Sequence, residues 1–245
     1  LSRHIEEGLR DSGNSALKLP VSVSEPVAIV GGGRIFEGDL ANALRIARFV
    51  VAADGGATAA LEFGRMPDAV VGDLDSLGES ELSRIPENRI VRIDEQESTD
   101  FAKCVANVDA PLYVAVGFTG ARLDHELANF NVLAANYESA ILLVGEFDVC
   151  FALGSSFAIE LPQGTRVSLF PFAEVCGSGS GLKWSFEQLL FSPTGRVGTS
   201  NEASGGLVEL KFSSSGIVAI LPKRFLERAA EAIVQSRSSA PRRIR

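Results

Sequence analysis

The carboxylates of this chain have the spacing that most invites chemistry. Three groups of them follow short apolar runs: Asp54-Gly55-Gly56, Asp73-Leu74-Asp75-Ser76 and Thr99-Asp100. Asp73 and Asp75 are two positions apart, so in extended backbone both side chains leave the same face. Carboxylates gathered in one place raise each other's pKa unless a cation lies between them. A site made only of oxygen donors suits Mg²⁺, which commonly combines one or two carboxylates with substrate phosphates. The competing reading is a solvated loop in which Asp and Ser cap turns and helices. Repetition of the pattern at three strand ends favours the cation.

A second cluster runs from Gly117 to Asn129 and contains Gly120-Ala121-Arg122-Leu123-Asp124-His125. A glycine-containing loop that leads into a helix start favours an anion. Arg122 can reach phosphate oxygens, and His125 and Asn129, four apart, share one helix face. As a lone imidazole, His125 reads equally well as a structural residue. Gly31-Gly32-Gly33 is a weaker signal: it allows a close backbone approach but lacks the GxGxxG spacing of a dinucleotide loop. Gly181-Leu182-Lys183-Trp184 and Thr199-Ser200-Asn201-Glu202 form the last group. Both segments also read as surface turns, and Trp184, the only tryptophan, also reads as a core anchor.

These residues need a scaffold. Strand-like runs alternate with helical patterns from Val27 onward: 27–30, helix 39–47, 49–53, helix 57–63, 69–71, 89–93, helix 99–106, 112–116, helix 123–136 and 140–144. The alternation predicts a parallel sheet covered by helices on both faces, an α/β fold whose strand ends gather the acidic groups. After about residue 146 the texture becomes all-β, with 151–153, 166–170, 207–212 and 217–221 as runs between Gly, Ser and Pro. A helical pattern returns at 225–234. The expected organisation is a loosely ordered lead-in over 1–25, a catalytic α/β domain over 26–146, a β domain over 147–235 and a disordered basic tail over 236–245.

The 245 residues carry 23 Lys+Arg and 31 Asp+Glu, a net charge of −8. Four of the arginines fall in 236–245, so the remaining body stands at 19 − 31 = −12. Such a body argues against a nucleic-acid binder and tolerates metal ions and cationic ligands. The three cysteines are widely separated and form neither a zinc spacing nor a disulfide framework. No apolar stretch reaches membrane-spanning length and no signal-peptide core follows the N-terminus, so the expectation is a cytoplasmic protein without a membrane partner.

Taken together, the motifs resemble the thiamine pyrophosphokinases, also called thiamine diphosphokinases. The carriers are Ala53-Asp54-Gly55-Gly56-Ala57, the run Pro67 to Ser76, Ser98-Thr99-Asp100, the run Gly120 to Asn129, Val167-Ser168-Leu169, Gly181 to Trp184 and Ser200-Asn201-Glu202, in the family's order. Two departures stand out. Ala121 replaces the second glycine before the arginine, and Gln96-Glu97 stand where a Lys-Asp pair is usual, leaving Lys103 as a substitute phosphate contact.

The resemblance implies an N-terminal α/β domain, a C-terminal β-sandwich and a homodimer with active sites between subunits. It implies transfer of pyrophosphate from ATP to the hydroxyl of thiamine, giving thiamine diphosphate and AMP. Asp73, Asp75 and Asp100 would hold Mg²⁺, with Asp54 close by. Arg122 would stabilise phosphate charge, and Asp124 or His125 would orient or deprotonate the hydroxyl. Gly55, Ser76, Thr99 and Asn129 would contribute to the nucleotide site. Trp184 would stack on thiamine across the dimer while Ser200 and Asn201 bond its aminopyrimidine. Another Mg²⁺-dependent phosphotransferase or phosphohydrolase, or a non-catalytic thiamine- or nucleotide-binding protein, are the alternatives.

Overall fold

The computed structural model describes residues 21–238. In chain order the strands are β1 (Val21–Ser22), β2 (Val27–Val30), β3 (Phe49–Ala53), β4 (Ala69–Gly72), β5 (Ile90–Arg92), β6 (Val108–Asp109), β7 (Tyr113–Val116), β8 (Ile141–Val144), β9 (Asp148–Leu153), β10 (Ser156–Leu161), β11 (Arg166–Pro171), β12 (Val175–Ser180), β13 (Phe186–Phe191), β14 (Gly198–Glu202), β15 (Gly206–Phe212) and β16 (Ile217–Pro222). The helices are α1 (Asp39–Ile46), α2 (Gly56–Glu62), α3 (Glu79–Leu82), α4 (Asp100–Asn107), α5 (Leu123–Ala135) and α6 (Leu226–Ser238).

Every residue of β2, β4, β7 and β8 is buried. Continuous Val-, Ile- and Ala-rich runs of this kind belong to strands covered on both faces. They pair in parallel in the order β8-β7-β2-β3-β4-β5. Ala28 and Val30 pack with Leu40 and Ala43 of α1 and with Ala229 and Ile233 of α6. Val27 and Ile29 face the other way, toward Phe101 and Cys104 of α4 and Leu133 of α5. The period-two alternation of the strands thus divides the core into two layers.

Parallel pairing gives way to antiparallel pairing at residues 145–147, where β9 folds back on β8. The sheet is not interrupted there. It continues through β9, β16 and β11 to β14, making ten strands, and a second sheet ordered β10-β15-β12-β13 lies apart from it. Phe157, Leu161, Leu169, Phe191, Leu210 and Phe212 from both sheets share one core, which gives the sandwich expected from the family resemblance. The fold class read from the sequence, α/β followed by all-β, is borne out.

Two chain ends differ from expectation. Val21 and Ser22, placed in the lead-in, pair in parallel with Val108 and Asp109. Helix α6 continues through Ser236, Arg237 and Ser238, where the tail was expected, because Arg237 donates to the Ala152 carbonyl and anchors that turn. Residues 1–20 of the lead-in and 239–245 of the tail lie outside the described residues. Among the described residues no helix is long and apolar enough to cross a membrane.

Candidate active site

Strands β3, β4 and β5 extend the parallel sheet to one side of β2, whereas β7 and β8 extend it to the other. The loops leaving β2 and β7 therefore diverge, and the crevice at their carboxyl ends is where open α/β sheets bind ligands. At its base the two loops cross closely. A Cβ on Gly31 would lie 2.6 Å from the Gly117 carbonyl oxygen, and one on Gly117, whose φ is +78°, would lie 2.5 Å from that of Gly31. Only glycine permits that crossing.

The crevice has a volume of about 490 Å³. Gly32 and Gly33 line it, together with Gly55, Ser76, Thr99, Asp100, Arg122, His125 and Asn129. Sequence reasoning had not singled out Phe101 and Phe118, whose rings, with centroids 4.6 Å apart, form an apolar part of the wall.

Asp54, Asp73 and Asp75 bring carboxylate oxygens within 4.8 Å of one another. The reason differs from the one the sequence suggested. Asp73 and Asp75 do not share a strand face; they lie in the turn after β4, where Leu74 takes φ +70°. Asp54 also has positive φ, +43°. Left-handed backbone at bulky residues is costly, and it is retained here where two loops must aim acids at one point. Asp54 is 2% exposed and its Oδ1 has no hydrogen-bond partner among the described residues.

Asp73 accepts at Oδ1 from the Asp75 amide (3.3 Å) and at Oδ2 from Gln96 Nε2 (2.6 Å). These bonds, with Lys103 nearby, hold its carboxyl below the usual range. Asp100 stands at the start of α4, outside the tight group of three. Burial, followed by the charges of Asp54, Asp73 and Asp75, raises its carboxyl above the usual range against the opposing pull of Lys103. Lys103 was expected to reach phosphate. Instead its side chain is 3% exposed and its ammonium faces Asp73 and Asp100, so it does not line the crevice. Its place one turn after Asp100 gave no sign of that burial.

Several side chains at the helix starts are already engaged. Thr99 Oγ1 caps α4 by accepting from the Ala102 amide (3.2 Å), and Ser76 Oγ donates to Asp75 Oδ1 (3.1 Å). Asn129 is 5% exposed and donates to the Phe118 carbonyl (2.9 Å), so it ties down the loop after β7. Arg122 holds Asp124 in a two-bond fork, Nε to Oδ1 at 3.1 Å and Nη2 to Oδ2 at 2.6 Å. That bond keeps the Asp124 carboxyl below the usual range, which suits an anion and opposes a role as proton acceptor. His125 is exposed on the crevice wall. Cys104 and Cys150 are buried, and burial pushes the Cys150 thiol up to about 12, so neither offers a thiolate nucleophile.

Trp184, Ser200 and Asn201 lie elsewhere. They line a groove of about 640 Å³ between the ends of β13 and β14. Six strand spacings separate β14 from β2, roughly 29 Å at the usual interval between strands. The structure does not bring these residues to the crevice within one chain.

Trp184 is 55% exposed, which excludes the core-anchor reading, and Lys183 Nζ stands 4.6 Å from its ring centroid. Asn201 accepts from the Trp184 amide (3.2 Å) and donates to the Trp184 carbonyl (2.8 Å), so its amide clips the Trp184 turn and was not left free for a ligand. Ser200 has φ +61°, held by its amide donating to Ser168 Oγ (3.0 Å).

Residues 40–144 match the family model described as "Thiamin pyrophosphokinase, catalytic domain". Thiamine pyrophosphokinase 1 of Oryza sativa subsp. japonica is 28% identical over 154 residues, covering 55% of this chain and 58% of the relative. Thiamin pyrophosphokinase 1 of Caenorhabditis elegans is 25% identical over 194 residues, 71% of this chain and 79% of the relative. The chain thus spans 58% of the length of the plant relative. Among solved structures, the thiamin pyrophosphokinase from Candida albicans superposes with a TM-score of 0.69 at 17% identity, covering 86% of this chain and 97% of that one. The thiamin pyrophosphokinase from Geobacillus thermodenitrificans gives 0.67 at 24% identity, with 80% and 96% covered. These likenesses bear out the resemblance read from the motifs.

Proposed function

Starting from a chain similar to the thiamin pyrophosphokinases, with residues 40–144 matching their catalytic domain, we propose that it transfers pyrophosphate from ATP to the hydroxyl of thiamine. The products are thiamine diphosphate and AMP. The observation that carries this reading is the convergence of Asp54, Asp73 and Asp75, whose chain neighbours Gly55 and Ser76 line the crevice at the sheet's switch point.

The donor set fits Mg²⁺. Three carboxylates within 4.8 Å of one another repel strongly without a cation, and the buried, partnerless Oδ1 of Asp54 is an oxygen prepared for one. Asp54, Asp73 and Asp75 would hold the ion, with Asp100 beside them. Bound there, Mg²⁺ would neutralise polyphosphate charge.

The chain's own residues account for the remaining work. Arg122 exchanges Asp124 for phosphate oxygens, to which its planar fork is equally matched. His125, on the crevice wall, accepts the hydroxyl proton as the thiamine oxygen bonds to the β-phosphorus of ATP and the bond to the α-phosphate oxygen breaks, releasing AMP. Phe101 and Phe118 keep one wall dry. Asn129 and Thr99 fix the two loops on which these groups stand.

Residues 26–146 form the catalytic part and 147–235 the thiamine-binding and dimer-forming part. Trp184 offers thiamine an aromatic face, and a second copy of the chain supplies that face to each crevice. The six strand spacings between β14 and β2, roughly 29 Å along the sheet, support this division, because groove and crevice share no lining residue. The reading goes with a cytoplasmic location, one in which ATP is at hand.

The test is product analysis of the full chain with Mg²⁺, ATP and thiamine. The proposal requires thiamine diphosphate and AMP in equal amounts. ADP would instead mark a simple kinase and inorganic phosphate a hydrolase, and either result overturns it.

A further inference from the structure

Lys103 is the only buried lysine among the described residues. It stands on α4, one turn after Asp100, and its Nζ lies 3.5 Å from Asp73 Oδ2 and 3.7 Å from Asp100 Oδ1. A buried ammonium is tolerated only where anions answer it. Here Asp73 and Asp100 do so, and of the three side chains only Asp100 lines the crevice.

The arrangement divides the acids into two sets. Asp73 gives Oδ2 to Gln96 and Lys103, while Oδ1 accepts only the Asp75 amide at 3.3 Å. That oxygen remains open to a further cation. Asp54 contributes its partnerless Oδ1, and Asp75 completes the group within 4.8 Å. Asp100 stays outside that group and beside Lys103.

We propose that Lys103 is a built-in second cation, whose ammonium fills the place between Asp73 and Asp100 and leaves the four carboxylates one exchangeable divalent position, at Asp54, Asp73 and Asp75. The inference rests on the metal-dependent reading of the crevice. Lys103 is thus a positioning residue: it acts through Asp73 and Asp100 and does not touch substrate. One fixed charge and one divalent ion balance three of the four negative charges. A second divalent ion at Asp73 and Asp100 would meet the ammonium directly, and that repulsion is what excludes it.

Electron paramagnetic resonance titration of Mn²⁺ into the full chain, without ATP or thiamine, provides a readout independent of turnover. Mn²⁺ serves because it takes the same oxygen donors as Mg²⁺. The unmodified protein should bind one Mn²⁺ per chain. Lys103→Met should bind a second ion, or bind one about tenfold more tightly, because the opposing charge is gone. Lys103→Arg, which keeps the charge, should bind one ion as the parent does.

Two ions bound by the unmodified chain would overturn the proposal without recourse to any variant. So would a Lys103→Met protein, folded by circular dichroism, that binds one ion with parental affinity. Either result leaves the metal-dependent reading of the crevice intact. Absence of Mn²⁺ binding in every protein overturns that reading as well, which distinguishes the two failures.

Discussion

The crevice and the Trp184 groove are built in opposite ways. The crevice gathers its groups from the ends of β2, β3, β4 and β7 and the starts of α2, α4 and α5, all resting on one buried parallel sheet. Its acids are buried or half-buried in part and bonded to one another, and the loops around them are tied by Asn129 and Thr99. The groove lies between strand edges, its tryptophan is exposed, and the side-chain amide of Asn201 is spent on the Trp184 turn. A reaction centre needs groups fixed before substrate arrives, and the sheet supplies that fixation. A face that closes on a ring can be open until a partner completes it. Under the proposed function, the contrast would mean that phosphoryl chemistry is assembled within one chain and that a second chain completes ring recognition.

The largest expected effect falls on the crevice. Asp75→Asn preserves shape but removes a carboxylate, and turnover at saturating ATP should fall by roughly two to three orders of magnitude. Without Mg²⁺ its melting temperature should equal or exceed the parent's, because repulsion is relieved. Near-normal turnover would remove the crevice from the chemistry. Next in size is Arg122→Lys, which keeps the charge and loses the fork. Its kcat/KM for ATP should drop about tenfold to a hundredfold with thiamine binding little changed, as steady-state kinetics would read out.

The groove should respond more gently. Trp184→Phe should weaken thiamine binding by about 0.5–2 kcal/mol and leave ATP binding intact. Red-edge emission of the single tryptophan should be quenched saturably by thiamine and less by ATP; emission unmoved in active protein would place thiamine elsewhere.

The smallest effect concerns pH. The folded chain holds the Asp100 proton more tightly than the unfolded chain does, so this group costs stability as pH rises through the ordinary carboxylate range. In chelator, Asp100→Asn should match the parent below about pH 4, gain on it as pH rises through the ordinary carboxylate range, and then hold a constant advantage once Asp100 is ionised in the folded chain. Denaturant melts that show no growth of this difference with pH would contradict the assignment.

The sequence revealed most of the crevice and less of the sandwich, for physical reasons. Val27–Val30 and Ile141–Val144 announce themselves because a strand buried on both faces has no polar position to interrupt it. By contrast β12 reads as a loop: it contains Cys176-Gly177-Ser178-Gly179-Ser180, yet a Cβ at Gly177 or Gly179 would strike the ring of Phe212 or Phe186. Its glycines are packing residues, a fact visible only once the rings are placed. Gly198–Glu202 is an edge strand without an apolar alternation to betray it. Asp73 and Asp75 do come together, but through the turn at Leu74 and not through the strand alternation that their spacing suggests. The burial of Lys103 was beyond reach, because a lysine one turn after an acid is ordinary on any solvated helix.

The most direct test of the divided site is complementation between two defective chains. Asp75→Asn spoils the crevice and spares the groove, whereas Trp184→Ala spoils the groove and spares the crevice. After the two proteins are mixed and allowed to exchange subunits, half of the dimers are mixed, and each mixed dimer contains one site made wholly from intact parts. The kcat/KM for thiamine should then rise to about a quarter of the unmodified protein's value, well above the mean of the two parents. Activity that stays at that mean, in a mixture shown by mass spectrometry to contain mixed dimers, would mean that crevice and groove do not act on the same thiamine.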